Sequence, residues 1–271
     1  MAASLEALLK LLDLEPLEVD LFRGASPETN LQRVFGGQVV GQALVAAGRT
    51  VEADRHVHSL HAYFLRPGDP TRPIIYEVDR SRDGRSFTTR RVVALQHGRQ
   101  IFTMSASFQT PEDGIEHQLP MPSSPDPDEL PVIDGPEARA WSSIDLRFVP
   151  RSDDNPMGQQ VWLRAAEPLP DDPLTHVCVL AYASDLTLLS STIRPHDISR
   201  WDSNLQMASL DHAMWFHRPF RADEWLLYDQ SSPAAAGGRG LASGRIFTSD
   251  GRLAASVVQE GLVRVSEQDP R

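Results

Sequence analysis

With 271 residues, 41% apolar and 23% charged, the chain is long enough to bury a large core as one domain or two fused small ones, which excludes disorder for its bulk. Its 26 basic and 37 acidic residues leave a net charge of −11, a field that repels nucleic-acid phosphates and anionic membrane surfaces. A single cysteine excludes an internal disulfide or a cysteine-rich zinc site, the longest apolar stretches fall short of the roughly 18 residues of a membrane span, and the N-terminus carries acids in place of a basic leader, so a cytosolic protein without metal or cofactor is expected.

In chain order, Leu5, Leu8, Leu9 and Leu12 form one helical stripe, with Ser4 as its N-cap and Pro16 closing the segment. A long helix is predicted over 37–52, introduced by Gly36-Gly37 and burying Val40, Leu44, Ala47 and Val51. Alternating strands follow at 57–66, 73–80, 86–97 and 100–109, and then residues 111–136 lose all apolar period in favour of Pro, Asp and Ser, the composition of a linker. A second apolar helix is predicted over 174–190, followed by strands at 207–217, 224–231, 240–248 and 252–265. The halves match in more than order. YFLRP at 63–67 recurs as WFHRP at 215–219, Gly84-Arg85 as Gly238-Arg239, and Gly98-Arg99 as Gly251-Arg252, at separations of 152, 154 and 153 residues. The expected architecture is α+β: a repeat over 1–110, a linker over 111–140 and a second repeat over 141–271, each with an antiparallel sheet wrapped on its own helix.

Polar residues on apolar faces mark the candidate chemistry. The stripe Leu174, Cys178, Ala181, Asp185 and Leu188 puts Asp185 on a buried face, where it is either a general base of raised pKa or a structural acid with a hydrogen-bond partner. Strand alternation puts Gln259 in line with Ala255, Val257, Gly261 and Val263, and Ser209 opens the strand before it. Their first-repeat counterparts are the apolar Ala106 and Val57, so the second repeat alone carries the site. An Asp, a Ser and a Gln without a neighbouring imidazole suit activation of water better than a covalent intermediate. At Gly36-Gly37 a tight turn and a ligand-binding helix N-terminus both remain open. His212 and His217 have odd spacing on one strand, point to opposite faces and form no paired metal site, and Cys178 in its apolar run reads as a buried structural thiol.

The segments RVFGGQVVGQAL (33–44), HSLHAYFLRPGDP (58–70), DGRSFTTRRVVALQ (83–96), YASDLTLL (182–189), SLDHAMWFHRPF (209–220) and VVQEGLVR (257–264) strongly resemble the acyl-CoA thioesterase II family over about residues 5–265. The resemblance implies a double hotdog, two fused units each with a sheet curled around a central helix, and hydrolysis of medium- to long-chain acyl-CoA. The family's Asp, Thr or Ser, and Gln map onto Asp185, Ser209 and Gln259, with serine standing where many relatives carry threonine. It further implies an oxyanion held by backbone N–H groups, for which Gly36 and Gly37 are candidates, and CoA phosphates met by surface arginines, for which Arg66, Arg85, Arg90 and Arg91 are candidates. A homodimer or homotetramer is expected from the same resemblance. The alternatives are a hotdog enoyl-CoA hydratase, disfavoured because no histidine adjoins Asp185 in YASDLTLL, and a non-catalytic acyl-CoA binder, which has no use for the full polar set. The C-terminus SEQDPR is not a peroxisomal Ser-Lys-Leu signal.

Overall fold

The computed structural model describes residues 2–266 except 28, 30, 134–140, 152–157, 197, 200, 201 and 203. The end of the predicted linker and most of the C-terminal SEQDPR therefore lie outside the described residues. The elements are α1 (Leu5–Leu12), β1 (Glu15–Glu18), β2 (Leu21–Gly24), α2 (Gly36–Gly48), β3 (His56–Phe64), β4 (Ile74–Asp83), β5 (Phe87–Gln96), β6 (Arg99–Gln109), β7 (Ile144–Phe148), β8 (Gly158–Ala165), α3 (Pro173–Ser184), β9 (Leu205–Ser209), β10 (Asp211–Phe216), β11 (Leu226–Ala236), β12 (Arg239–Thr248) and β13 (Leu253–Val265).

The strands join into one antiparallel sheet in the order β1-β2-β4-β5-β6-β3-β10-β13-β12-β11-β8-β7, with β9 also paired to β13. Outward from the β3–β10 seam, β6, β5, β4 and β2 on one side mirror β13, β12, β11 and β8 on the other. The two repeats detected by motif spacing are thus fused through a ladder that pairs Tyr63 with Asp211 and His61 with Ala213. This is the double-hotdog arrangement, with the two meanders continuous through the seam.

Helices α2 and α3 pack against each other and against the sheet. Burial of α2 runs all round from Gly37 to Ala47, wider than the predicted stripe, because it is enclosed by sheet, α1 and α3 together. It ends at Gly48, so Val51 lies beyond it. The first helix is capped as expected, Ser4 Oγ accepting from Ala7 N at 3.1 Å, with Leu11 rather than Leu9 in the core. Asp172 caps α3 by accepting from the N–H groups of Leu174 and Thr175, and Pro173 occupies the first turn, where its missing donor costs nothing. With the 3₁₀ turns after it, Pro173–His196 is long and apolar enough to cross a membrane, but 78% of its most apolar window is buried within this fold, as befits a core helix.

Two differences from the predicted elements shape the site. Helix α3 stops at Ser184 rather than running to 190, and a 3₁₀ turn over Leu188–Thr192 follows, held by Ser190 Oγ donating to Thr187 O and Thr192 Oγ1 to Leu189 O. The single strand predicted at 207–217 is broken at Leu210, whose N–H donates to Glu260 O while its carbonyl accepts from Phe64 N, each at 2.9 Å. The linker is docked rather than loose. Gln118 bridges Gly251 O and Leu253 N, Trp162 Nε1 donates to Pro125 O, and Leu130 is buried with Trp162, Leu227 and Phe247.

Candidate active site

The site forms where the end of α3 meets the start of α2. Asp185 is the C-cap residue of α3, and Ser184 before it is held by Tyr228, whose hydroxyl donates to the Ser184 carbonyl at 3.3 Å. Helix α2 has no side-chain cap of its own, since Phe35 stands at its N-cap position. Asp185 fills that role from across the fold, its carboxylate accepting from the Gly37 N–H at the positive end of the helix. Gly36 is required by this approach: a Cβ there stands 2.6 Å from Asp185 Oδ2 and 3.1 Å from the Phe64 ring.

The opposite side of the carboxylate faces the sheet. Gln259, fully buried on β13, donates from Nε2 to Asp185 Oδ1 at 2.6 Å and to Ser209 Oγ at 3.0 Å. Ser209, at the end of β9 opposite Gly261, donates from Oγ to Asp185 Oδ1 at 3.4 Å. The three polar residues singled out by periodicity are therefore brought into one hydrogen-bonded cluster. Their first-repeat counterparts, Val57 and Ala106, are buried apolar side chains. Asp185 keeps some exposed surface, yet its carboxylate is hemmed in by protein, and burial raises its pKa to about 6 against the opposing pull of Gln259, Gly37 and Ser209. A carboxylate so placed is a competent proton acceptor near neutral pH.

The remaining candidates separate. Gly37 stands at the start of α2 beside Asp185, and its N–H is among the groups that pull the Asp185 pKa down. Arg90 is corrected: it is 2% exposed and donates to Thr50 Oγ1, Thr50 O, Arg82 O, Thr89 O and Asp83 Oδ1, so it is a structural tie between β5 and the end of α2 rather than a surface phosphate ligand. Arg91, its strand neighbour, is exposed on the other face of the sheet from Asp185. Arg85 sits in the β4–β5 turn, next to the end where Phe87 pairs with Gln109 and Gln109 with His56, whereas the site lies at the Phe64 end of β3. Only Arg66 of the four follows Phe64 at the site's end of the sheet, exposed and donating to Gln100 O. Phe64, which the sequence reading passed over, lies against Gly36, and its place in the repeated YFLRP motif was the available signal. His212 is buried and His217 exposed, as alternation implied, while Cys178 is buried in the core. Two surface hollows of 380 and 560 Å³ open around Arg164, Asp223 and Glu224, but Asp223 is tied up with Arg221, so the Asp185 cluster rather than either hollow marks the chemistry.

Comparison with known proteins gives the family. A family model described as acyl-CoA thioesterase matches residues 150–262, and one described as acyl-CoA thioesterase N-terminal domain matches residues 25–109. The chain belongs to the acyl-CoA thioesterase family. It is 43% identical to acyl-coenzyme A thioesterase 8 of Homo sapiens over 95% of this chain and 88% of that protein. To acyl-CoA thioesterase 2 of Haemophilus influenzae it is 38% identical, over 98% of this chain and all of the other. Among solved structures, an acyl-CoA thioesterase II from Mycobacterium marinum superposes with a TM-score of 0.86 at 55% identity, covering 95% of this chain and 98% of that one.

Proposed function

We propose that this thioesterase hydrolyses fatty acyl-CoA to free acid and CoA by direct attack of water, with Asp185 as general base and no acyl-enzyme. The carrying observation is the Asp185 carboxylate, lifted to a pKa of about 6 and held between the Gln259 and Ser209 donors and the start of α2. Oδ1 is taken up by those two donors, which leaves Oδ2 for water. The lack of a side chain at Gly36 lets the start of α2 come up close to Oδ2, which helps to fix the carboxylate that activates the nucleophile. The water oxygen bonds to the thioester carbonyl carbon as Asp185 takes its proton. The C–S bond then breaks, the thiolate leaves without needing a strong acid, and the proton on Asp185 passes to the thiolate or to solvent.

Half-buried Phe35, Phe64 and Leu189 beside Gly37, Gly36 and Gly261 offer an apolar approach, in keeping with a medium- to long-chain acyl group. The same reading takes a homodimer or homotetramer as the working assembly. The test is release of free thiol from acyl-CoA esters of graded chain length, with Asp185→Asn alongside. Release that rises with chain length and collapses in the variant is expected. Ester bound but not cleaved refutes the hydrolase, and cleavage untouched by the substitution refutes the site.

A further inference from the structure

Beside the cluster, two buried polar atoms have no partner among the described residues: His212 Nδ1 and Gln259 Oε1. Both side chains are fully buried. The β10–β13 ladder pairs Met214 with Val257 and Ala213 with Val258, so one further step brings His212 beside Gln259. Alternation turns both toward the helices, on the side of buried Met214 and Val257.

The protons can be counted. His212 Nε2 meets Ser184 Oγ at 2.9 Å, and Ser184 Oγ donates to the Ala181 carbonyl at 2.9 Å. A hydroxyl has one proton; with that proton on Ala181, the His212 ring must donate from Nε2, and Nδ1 is a bare acceptor. Burial holds the imidazole pKa down to about 4, so the ring is neutral at physiological pH. Gln259 uses its amide nitrogen on Asp185 and Ser209, which leaves Oε1 an acceptor too. Two adjacent buried acceptors are costly when unmet, and a single water supplies one proton to each.

We propose that His212 is a positioning residue of the hydrolytic site, anchoring the Gln259 amide oxygen through one internal water so that the amide nitrogen faces Asp185. Without that anchor the amide is free to flip, setting Oε1 against the carboxylate, acceptor to acceptor, and Asp185 loses its closest donor. The inference rests on the Asp185 reading above.

His212→Asn keeps a carbonyl oxygen near the place of Nδ1, His212→Gln keeps only the contact toward Ser184, and His212→Leu keeps neither. On the best acyl-CoA ester, kcat of the Asn variant is expected to stay within about threefold of the parent, while Gln and Leu fall by about 10- to 100-fold with KM unchanged. A high-resolution crystal structure of the unmodified protein is expected to show one water bonded to both atoms, a readout that needs no variant to fold. The proposal is overturned if Asn falls as far as Leu, if all three keep full kcat, or if no water joins the two atoms. Asp185→Asn separates the failures: an active Asp185→Asn sinks the site itself, whereas an inactive one beside a fully active His212→Leu sinks only the role of His212.

Discussion

Replacing Asp185 with Asn is expected to make the protein more stable and far less active at once, with one ionisation governing both effects. Burial raises the carboxyl from 3.8 to about 6, a shift worth about 3 kcal/mol at roughly 1.4 kcal/mol per unit. The sign follows from where each state binds the proton. Below pH 3.8 the folded and unfolded chains both hold it and there is no penalty; between 3.8 and 6 only the folded chain holds it, so this group's contribution to stability falls as pH rises. Above pH 6 the full penalty of a buried charge is present. Asparagine removes that penalty while its amide loses the bond to the Gly37 N–H, at a cost of about 1 kcal/mol. The net is about 2 kcal/mol in favour of Asp185→Asn at pH 8, or roughly 4–8 °C in Tm. Near pH 4 the advantage vanishes and the variant becomes slightly the less stable. Calorimetry of both proteins from pH 4 to 8 measures the difference, in which all other carboxylates cancel. In parallel, kcat/KM of the unmodified enzyme is expected to rise to a plateau with a midpoint near pH 6, and kcat of the variant to fall by about 10²–10⁴. A Tm for Asp185→Asn that is lower at pH 8, or offset equally at every pH, refutes the reasoning.

Other substitutions test the neighbours. Gly36→Ala sets a methyl 2.6 Å from Asp185 Oδ2 and is expected to cut kcat about 100-fold by displacing the carboxylate and its water, with the circular dichroism spectrum unchanged; full activity contradicts the tight approach. Ser209→Thr retains the hydroxyl and is expected to keep kcat within about threefold, whereas Ser209→Ala loses one hydrogen bond to Asp185 and about tenfold in kcat. Arg90→Met strips donors from the carbonyls of Thr50, Arg82 and Thr89 and is expected to lower stability by about 2 kcal/mol with KM for acyl-CoA unchanged; a raised KM at unchanged stability restores Arg90 as a CoA ligand. Cys178, whose thiol pKa burial pushes up, is expected to stay silent toward a disulfide reagent until the protein is unfolded. A thiol signal from the native protein without substrate contradicts that burial.

The sequence by itself determined the duplication, because repeated motifs at near-constant separation survive in one dimension, and it singled out Asp185, Ser209 and Gln259, because a polar residue at a position that periodicity assigns to the core has few innocent explanations. It did not reveal β1, β2, β7 or β8: β1 is exposed along its whole length, β2 and β7 are only 4 and 5 residues long, and β8 is mostly buried on both faces, so none of them writes a long alternating pattern on the chain. Nor did it separate the arginines. Arg90 and Arg91 are neighbours in sequence but occupy opposite faces of β5, one locked in the interior and one in solvent. Which N–H meets Asp185 was likewise decided in three dimensions, since Gly37 and Asp185 lie on helices from different repeats and touch only because the sheet is continuous through β3 and β10. Local pattern records whether a side chain is buried. What it is buried against depends on contacts between distant segments, and those exist only once the two halves have closed on each other.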